Sequence, residues 1–264
     1  MIVIESKDNS TFKEVRKLKE RKNRKKLSKY IIEGSRLVEE AFKSNTPIES
    51  LFFEKDSADK IIEDRFRKYS FDNIKVYYAS KEIIKELSST EEPQGIIAVA
   101  KMKRHNFKDD GKFYLLCDKV QDPGNMGTII RTAHAANVDG IILTKGTVDI
   151  YNDKVIRATM GSIFYVPIVI DEEDNSELRR LIDKGFSLVA TSLEGNKNFF
   201  EEKLTGNIII CVGNEGNGVS DEIYRLADKK VKIPMPGNAE SLNVSVAASI
   251  IMYEKVRQQM VDFW

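Results

Sequence analysis

The chain has 264 residues, 41% apolar and 31% charged, with 15 Gly and 6 Pro. This balance excludes collagen-like, low-complexity and wholly disordered classes, and the length allows one large domain or two ordinary ones. No apolar run approaches the ~20 residues that cross a bilayer, and the N-terminus lacks a basic-then-apolar leader, so a cytoplasmic protein with no membrane partner is expected.

Cys117 and Cys211 each sit in an apolar run, outside any CxxC or Cys/His cluster. They read as buried free thiols, and no metal site is expected. The net charge of +1 conceals an asymmetry: residues 1–105 hold 24 Lys and Arg against 18 Asp and Glu, and the remainder 18 against 23. Between Lys13 and Lys29 (KEVRKLKERKNRKKLSK), ten basic residues meet two acidic ones. A polyanion would feel that stretch first; the plainer reading is a solvated helix face.

In chain order, the segment from Tyr30 (YIIEGSRLVEEAFKSN) places Ile31, Leu37, Val38, Ala41 and Phe42 at helical spacing. A strand follows at 48–54, a helix near 60–69, a strand at 73–78, a helix at 81–87 and a strand at 95–100, together a small α/β unit. Residues 101–111 lose apolar periodicity and gather charge, which divides the chain into domains 1–105 and 106–264. Beyond the boundary, apolar runs at 113–120, 140–144, 166–170, 187–192, 207–213 and 230–234 alternate with helices near 126–136, 152–163, 177–184, 221–227 and 243–259. Continuous Val/Ile/Leu runs separated by helices predict a parallel sheet covered on both faces, an α/β fold with a smaller N-terminal α/β domain.

Three loops following strands are rich in Gly, Asn and Pro: QDPGNMG (121–127), GNEGNGVS (213–220) and PMPGNAESLN (234–243). Ligands of open parallel sheets bind beyond the carboxyl ends of the strands, so the three are expected to form one site. Gly213, Gly216 and Gly218 are expected to take positive φ and leave amides free for a ligand. GNEGNG is neither G-x-G-x-x-G nor a P-loop, and Glu215 would repel a phosphate, so a cationic or neutral ligand suits it better.

The segments DKVQDPGNMGTIIRTAHAANVDGIIL, IIICVGNEGNGVSDEI and IPMPGNAESLNVSVAASIIMYE, in that order, resemble the three motifs of the SpoU/TrmH branch of the SPOUT RNA methyltransferases. The likeness covers about residues 113–257, and the region from KLSKYIIEGSRLVEEAF to EEPQGIIAVA is similar to the ribosomal-protein-like (L30e-like) substrate-binding domain that precedes it in many members. The resemblance implies S-adenosylmethionine as methyl donor, a ribose 2′-hydroxyl as acceptor, a homodimer and a C-terminal trefoil knot. It places Asn125, Arg131, Glu215, Ser241 and Asn243 on the polar catalytic positions. Thr191, Gly213, Asn214, Gly218, Ile233, Met235, Ser241, Leu242 and Val244 fall on those that hold the cofactor.

Methyl transfer from a sulfonium requires orientation of an activated oxygen. Arg131, beside Asn125, suits gripping phosphate and a developing alkoxide; a guanidinium gives up its proton too reluctantly to serve as a general base, and no proton acceptor is assigned. Glu215 could orient Arg131 or Asn243, favour the cationic cofactor, or cap a loop. Ser241 is expected to cap the last helix as well as line the site. His134 reads as structural or exposed. Asn137 stands where the family often has Gly, and Asn tolerates the left-handed helix end.

Ribosomal RNA is the expected substrate, with transfer RNA next. With both halves pointing to RNA, Lys22, Arg24, Lys25, Lys26 and Arg36 are assigned to RNA binding. A non-catalytic RNA-binding or assembly factor and, more weakly, a nucleotide-dependent enzyme are the competing readings.

Overall fold

The structure, a computed structural model, describes residues 2–108, 110–171, 174–192, 197–237 and 239–261. It divides into two units, Met1–Lys103 with Asp149–Phe164, and Arg104–Val148 with Tyr165–Trp264.

The first unit runs β1 (Ile2–Ile4), α1 (Ser10–Lys17), α2 (Arg21–Leu27), β2 (Lys29–Glu33), α3 (Ser35–Lys43), β3 (Ile48–Glu54), α4 (Ala58–Ile61, continued by a π-type turn to Phe66), β4 (Lys75–Ala79), α5 (Lys81–Leu87) and β5 (Ile96–Lys101). The sheet order is β1-β4-β3-β5-β2, with β5 antiparallel to both β3 and β2. The expected helix from Tyr30 is corrected. Lys29–Glu33 alternates in burial as a strand, and Gly34, at φ 95°, turns the chain into α3.

The basic stretch forms α1 and α2. Phe12, Val15 and Leu18 are buried, which leaves most of the charge outward. Arg24 is the exception and corrects its assignment to RNA binding. It is 5% exposed, its Nη2 lies 2.7 Å and its Nε 3.0 Å from Asp149, and Nη1 donates to the carbonyls of Leu18 and Lys19.

Segment 149–164, which the sequence-based division places in the C-terminal domain, belongs to the first unit. Asp149 holds Arg24, and the Tyr151 ring lies 4.6 Å from that of Tyr30. The helix expected over 152–163 is cut short, because Met160 and Gly161 both adopt positive φ.

The second unit begins with β6 (Phe113–Cys117), α6 (Pro123–Ala135) and β7 (Gly140–Thr144). After α7 (Asp153–Ala158), which belongs to the first unit, it resumes with β8 (Ile168–Asp171), α8 (Ser176–Asp183), β9 (Ser187–Thr191), β10 (Lys197–Asn198), β11 (Ile208–Val212), α9 (Asp221–Leu226), β12 (Lys229–Lys232) and α10 (Val244–Val261). Among the described residues its strands lie in the order β10-β12-β9-β11-β6-β7-β8, all parallel. Strands β6, β7 and β11 are buried throughout, as a sheet covered on both faces requires. Cys117 and Cys211 are buried and free, and burial pushes both thiols well above their ordinary pKa. Asn137 takes the left-handed conformation expected after α6. Among the described residues, no helix is long and apolar enough to cross a membrane.

Candidate active site

Because every strand of the second sheet runs the same way, Cys117, Thr191, Val212 and Lys232 end their strands on one edge, and the three loops start there. Side chains join them. Glu215 accepts from the backbone N–H of Gln121 (3.2 Å) and Asp122 (3.1 Å) and from Asn125 Nδ2 (3.1 Å). Asn125 Oδ1 in turn accepts from Asn243 Nδ2 at 2.8 Å. Asn125, Glu215 and Asn243, separated by long stretches of sequence, thus form one polar chain across all three loops. Burial alone would push the Glu215 carboxyl up; hydrogen bonds from Asn125 and the backbone N–H groups of Glu215, Asp122 and Gln121 reverse this and hold it below its ordinary value.

Local capping explains the loop shapes. Asp122 Oδ1 accepts from Asn125 N at 2.8 Å and opens α6, with Pro123 in its first turn. Asn243 Oδ1 accepts from Ser245 N (2.9 Å) and Val246 N (3.4 Å), so Asn243 caps α10 and the expected capping by Ser241 is corrected. A Cβ at Gly213 would fall 2.1 Å from the Gly218 carbonyl carbon. Close approach therefore demands glycine there. Of the three glycines expected to take positive φ, only Gly218 does, at 68°.

The expectation of free amides in this loop is also corrected. The N–H groups of Gly216 and Asn217 bond to Asn214 Oδ1, and those of Asn214 and Gly218 pair with each other's carbonyls. The third loop differs: among the described residues from Pro234 to Leu242 no backbone hydrogen bond is made, and nearly all are exposed.

Residues 112–253 match the SpoU rRNA Methylase family. The chain belongs to that family. Residues 9–98 match the MRM3-like substrate binding domain. Over 95% of its length the chain is 37% identical to the 23S rRNA (guanosine(2553)-2'-O)-methyltransferase RlmP of Bacillus subtilis (strain 168), of which 97% is covered. The solved SpoU methyltransferase AviRb from Streptomyces viridochromogenes, in complex with AdoMet, is similar with a TM-score of 0.88 and 27% identity over 96% of this chain and 98% of that one. The AdoMet-bound rRNA methyltransferase from Sinorhizobium meliloti is similar with a TM-score of 0.82 and 29% identity over 97% and 98%.

In this SpoU family member, Arg131 stands apart from the polar chain. It is exposed on α6 and makes no side-chain hydrogen bond or ion pair among the described residues, so Glu215 does not orient it. Ser241 and Leu242 are exposed, Ile233, Met235, Thr191 and Asn214 half-buried, and Val244 buried. His134 is exposed and stacks on Tyr165, centroids 4.9 Å apart and planes 7° from parallel. Sequence reasoning does not single out Asp118. Its buried carboxylate accepts from Ser220 N (2.7 Å) and the Thr144 hydroxyl (2.8 Å), binding the second loop to β6 and β7. The one signal for it is a lone acid closing the apolar run FYLLCD.

The residues present fit S-adenosylmethionine. Leu242, 36% exposed, together with Ile233 and Met235 offers apolar surface, the backbone of the described residues between Pro234 and Leu242 retains its hydrogen-bonding groups, and Glu215 supplies a negative charge. No atom lies within 4 Å of where a Cβ would stand at Gly218 or Gly237, which leaves open space beside both loops.

Proposed function

We propose that the chain is an S-adenosylmethionine-dependent 2′-O-ribose methyltransferase acting on ribosomal RNA. One observation carries the reading: Asn125, Glu215 and Asn243 tie the three loops into one assembly in a SpoU family chain. The name of the B. subtilis relative specifies 2′-O-methylation of 23S rRNA, which favours ribosomal over transfer RNA.

When bound, S-adenosylmethionine supplies an electrophilic methyl group on a cationic sulfur. Ile233, Met235 and Leu242 would cover its apolar part, and Gly213, Asn214, Gly218, Ser241, Val244 and Thr191 would flank it. Asn125 and Asn243 hold each other's amides in a fixed direction, and Glu215 holds Asn125. Arg131, exposed and without a partner among the described residues, is placed to grip an RNA phosphate and steady the developing alkoxide. Orientation by these groups lowers the barrier by removing rotational freedom before reaction.

Lys22, Lys25, Lys26 and Arg36, all exposed, are read as RNA contacts of the first unit. The working form is a homodimer in the cytoplasm; exposed apolar Val246 (46%), Tyr253 (49%) and Met260 (59%) on α10 support a partner copy there. The reading includes a C-terminal trefoil knot, supported by the chain leaving β11, crossing to β12 beyond β9 and returning as α10 against α6.

Incubation with methyl-labelled S-adenosylmethionine and 23S rRNA, followed by mapping of 2′-O-methylated positions, is expected to label a defined ribose. Calorimetric binding of the cofactor without label would return the chain to an RNA-binding factor, and no binding heat would remove the reading altogether.

A further inference from the structure

Among the described residues, six other than glycine take positive φ, and Lys119, at 57°, is the one that closely follows a strand of the methyltransferase sheet. Glycine would hold that conformation without the steric cost of a Cβ. The chain instead places a long cation there and fixes it. Its N–H donates to the Thr144 hydroxyl at 3.1 Å, and its carbonyl accepts from Asn214 Nδ2 at 2.9 Å. Its stem lies over Gly146, where a Cβ would meet Lys119 Cγ at 3.3 Å and Cδ at 3.9 Å; Gly146 itself sits at φ 98°. The side chain is exposed, and among the described residues it has no hydrogen-bond or ion-pair partner. Lys145, beside Gly146, is likewise exposed and unpartnered among the described residues.

Asn214, which holds the Lys119 carbonyl, adjoins Glu215, which holds Gln121 and Asp122. The lysine therefore belongs to the frame that carries Asn125. An unneutralised ammonium at the rim of this site has the chemistry of a phosphate contact, a point charge that needs no planar geometry. We propose that Lys119, supported by Lys145, grips a backbone phosphate of the RNA strand next to the target ribose. The inference rests on the function proposed above. The carboxylate of S-adenosylmethionine offers the same anionic oxygens, and the experiment separates the two sources.

The test compares the full-length wild type with K119M, K119G and K119R. K119M retains a stem over Gly146 without the charge, K119G relieves the backbone, and K119R restores the charge. K119M and K119G are expected to weaken RNA binding several-fold, raise KM for RNA more than they lower kcat, and reduce the salt slope by about 0.7 to 0.9. Affinity for S-adenosylmethionine should stay unchanged, the Tm of K119G should equal or exceed that of the wild type, and K119R should recover RNA affinity. An unchanged RNA affinity and salt slope in K119M would overturn the proposal. So would a loss of cofactor affinity with intact RNA binding, which would assign Lys119 to the cofactor's carboxylate. A wild type that binds RNA but transfers no methyl would sink the proposed function alone, since the binding comparison still reads Lys119.

Discussion

Asn243 and Asn125 fix each other's direction. Asn243 Nδ2 donates to Asn125 Oδ1 at 2.8 Å, and because Asn125 Nδ2 donates to Glu215 at 3.1 Å, the oxygen and nitrogen ends of the Asn125 amide are distinguished. Asn243 Oδ1 is meanwhile committed to the first amides of α10. A helix cap on the third loop thereby sets the orientation of a side chain on the first.

The two roles of Asn243 separate by substitution. Asn243→Ala removes both the cap and the bridge and should cost about 1 kcal/mol of stability from the cap alone. Asn243→Asp keeps an oxygen for Ser245 and Val246 but loses the donor to Asn125. Thermal melts are expected to show N243D near the wild type and N243A lower, while single-turnover methyl transfer falls in both. Full activity in N243D would mean that the Asn125 bridge does not matter to the reaction.

The Glu215 carboxyl is held below its ordinary value of 4.5. A carboxyl depressed on folding contributes stability that is fully present above the unfolded value and lost as pH falls through the folded one. Urea melts should show the wild type losing part of its stability on acidification below about 4.5, whereas Glu215→Gln, less stable at neutral pH, should be flatter across that window. Parallel pH curves for the two proteins would place the acid-sensitive group elsewhere.

The loops were legible because Gly, Asn and Pro gather after apolar runs, and the parallel sheet because those runs are continuous. Other features were hidden from local pattern. Gly34 splits a segment whose apolar spacing suits a helix, and the split follows from a positive φ and from pairing with β5. The pairing of Arg24 with Asp149 spans 125 residues, so nothing near Arg24 distinguishes it from its basic neighbours. The N–H groups of Gly216 and Asn217 are taken by the Asn214 side-chain oxygen, and those of Asn214 and Gly218 by each other's carbonyls, although the same composition also suits a ligand cradle. The polar chain from Glu215 to Asn243 came into view through family resemblance, and its bonds emerge only in three dimensions.

Arg131, exposed and without a partner among the described residues, has little to contribute to folding. Arg131→Ala should change the stability by no more than a surface substitution does, about 0.5 kcal/mol, and leave cofactor affinity nearly intact while abolishing methyl transfer. Calorimetry beside a labelled-methyl assay checks this. Loss of cofactor binding instead would move Arg131 from the RNA to the cofactor.

Gly213 tests the loop frame. In Gly213→Ala the new methyl would lie 2.1 Å from the Gly218 carbonyl carbon and 2.2 Å from Val219 N, both backbone atoms of the same loop. The loop must open, which breaks the Asn214–Gly218 pairing and shifts Glu215. A lower Tm and a weaker cofactor affinity are expected together. A variant with unaltered cofactor affinity would show that the second loop does not shape that site.

The basic stretch calls for two opposite outcomes from residues side by side. Lys22, Lys25 and Lys26 are exposed, so replacing all three by Gln should leave the melting transition in place and reduce the salt slope of RNA binding by about 0.7 to 0.9 for each phosphate no longer neutralised. Arg24→Gln should do the reverse. The Arg24 and Asp149 side chains are 6% and 13% exposed, so the substitution strands a buried carboxylate and should cost about 3 to 5 kcal/mol. Its effect on RNA binding should appear only through loss of folded protein. If R24Q melted like the wild type yet bound RNA with a shallower salt dependence, Arg24 would belong with the outward lysines; if the triple variant kept the wild-type slope, the outward face of α2 would belong to solvent alone.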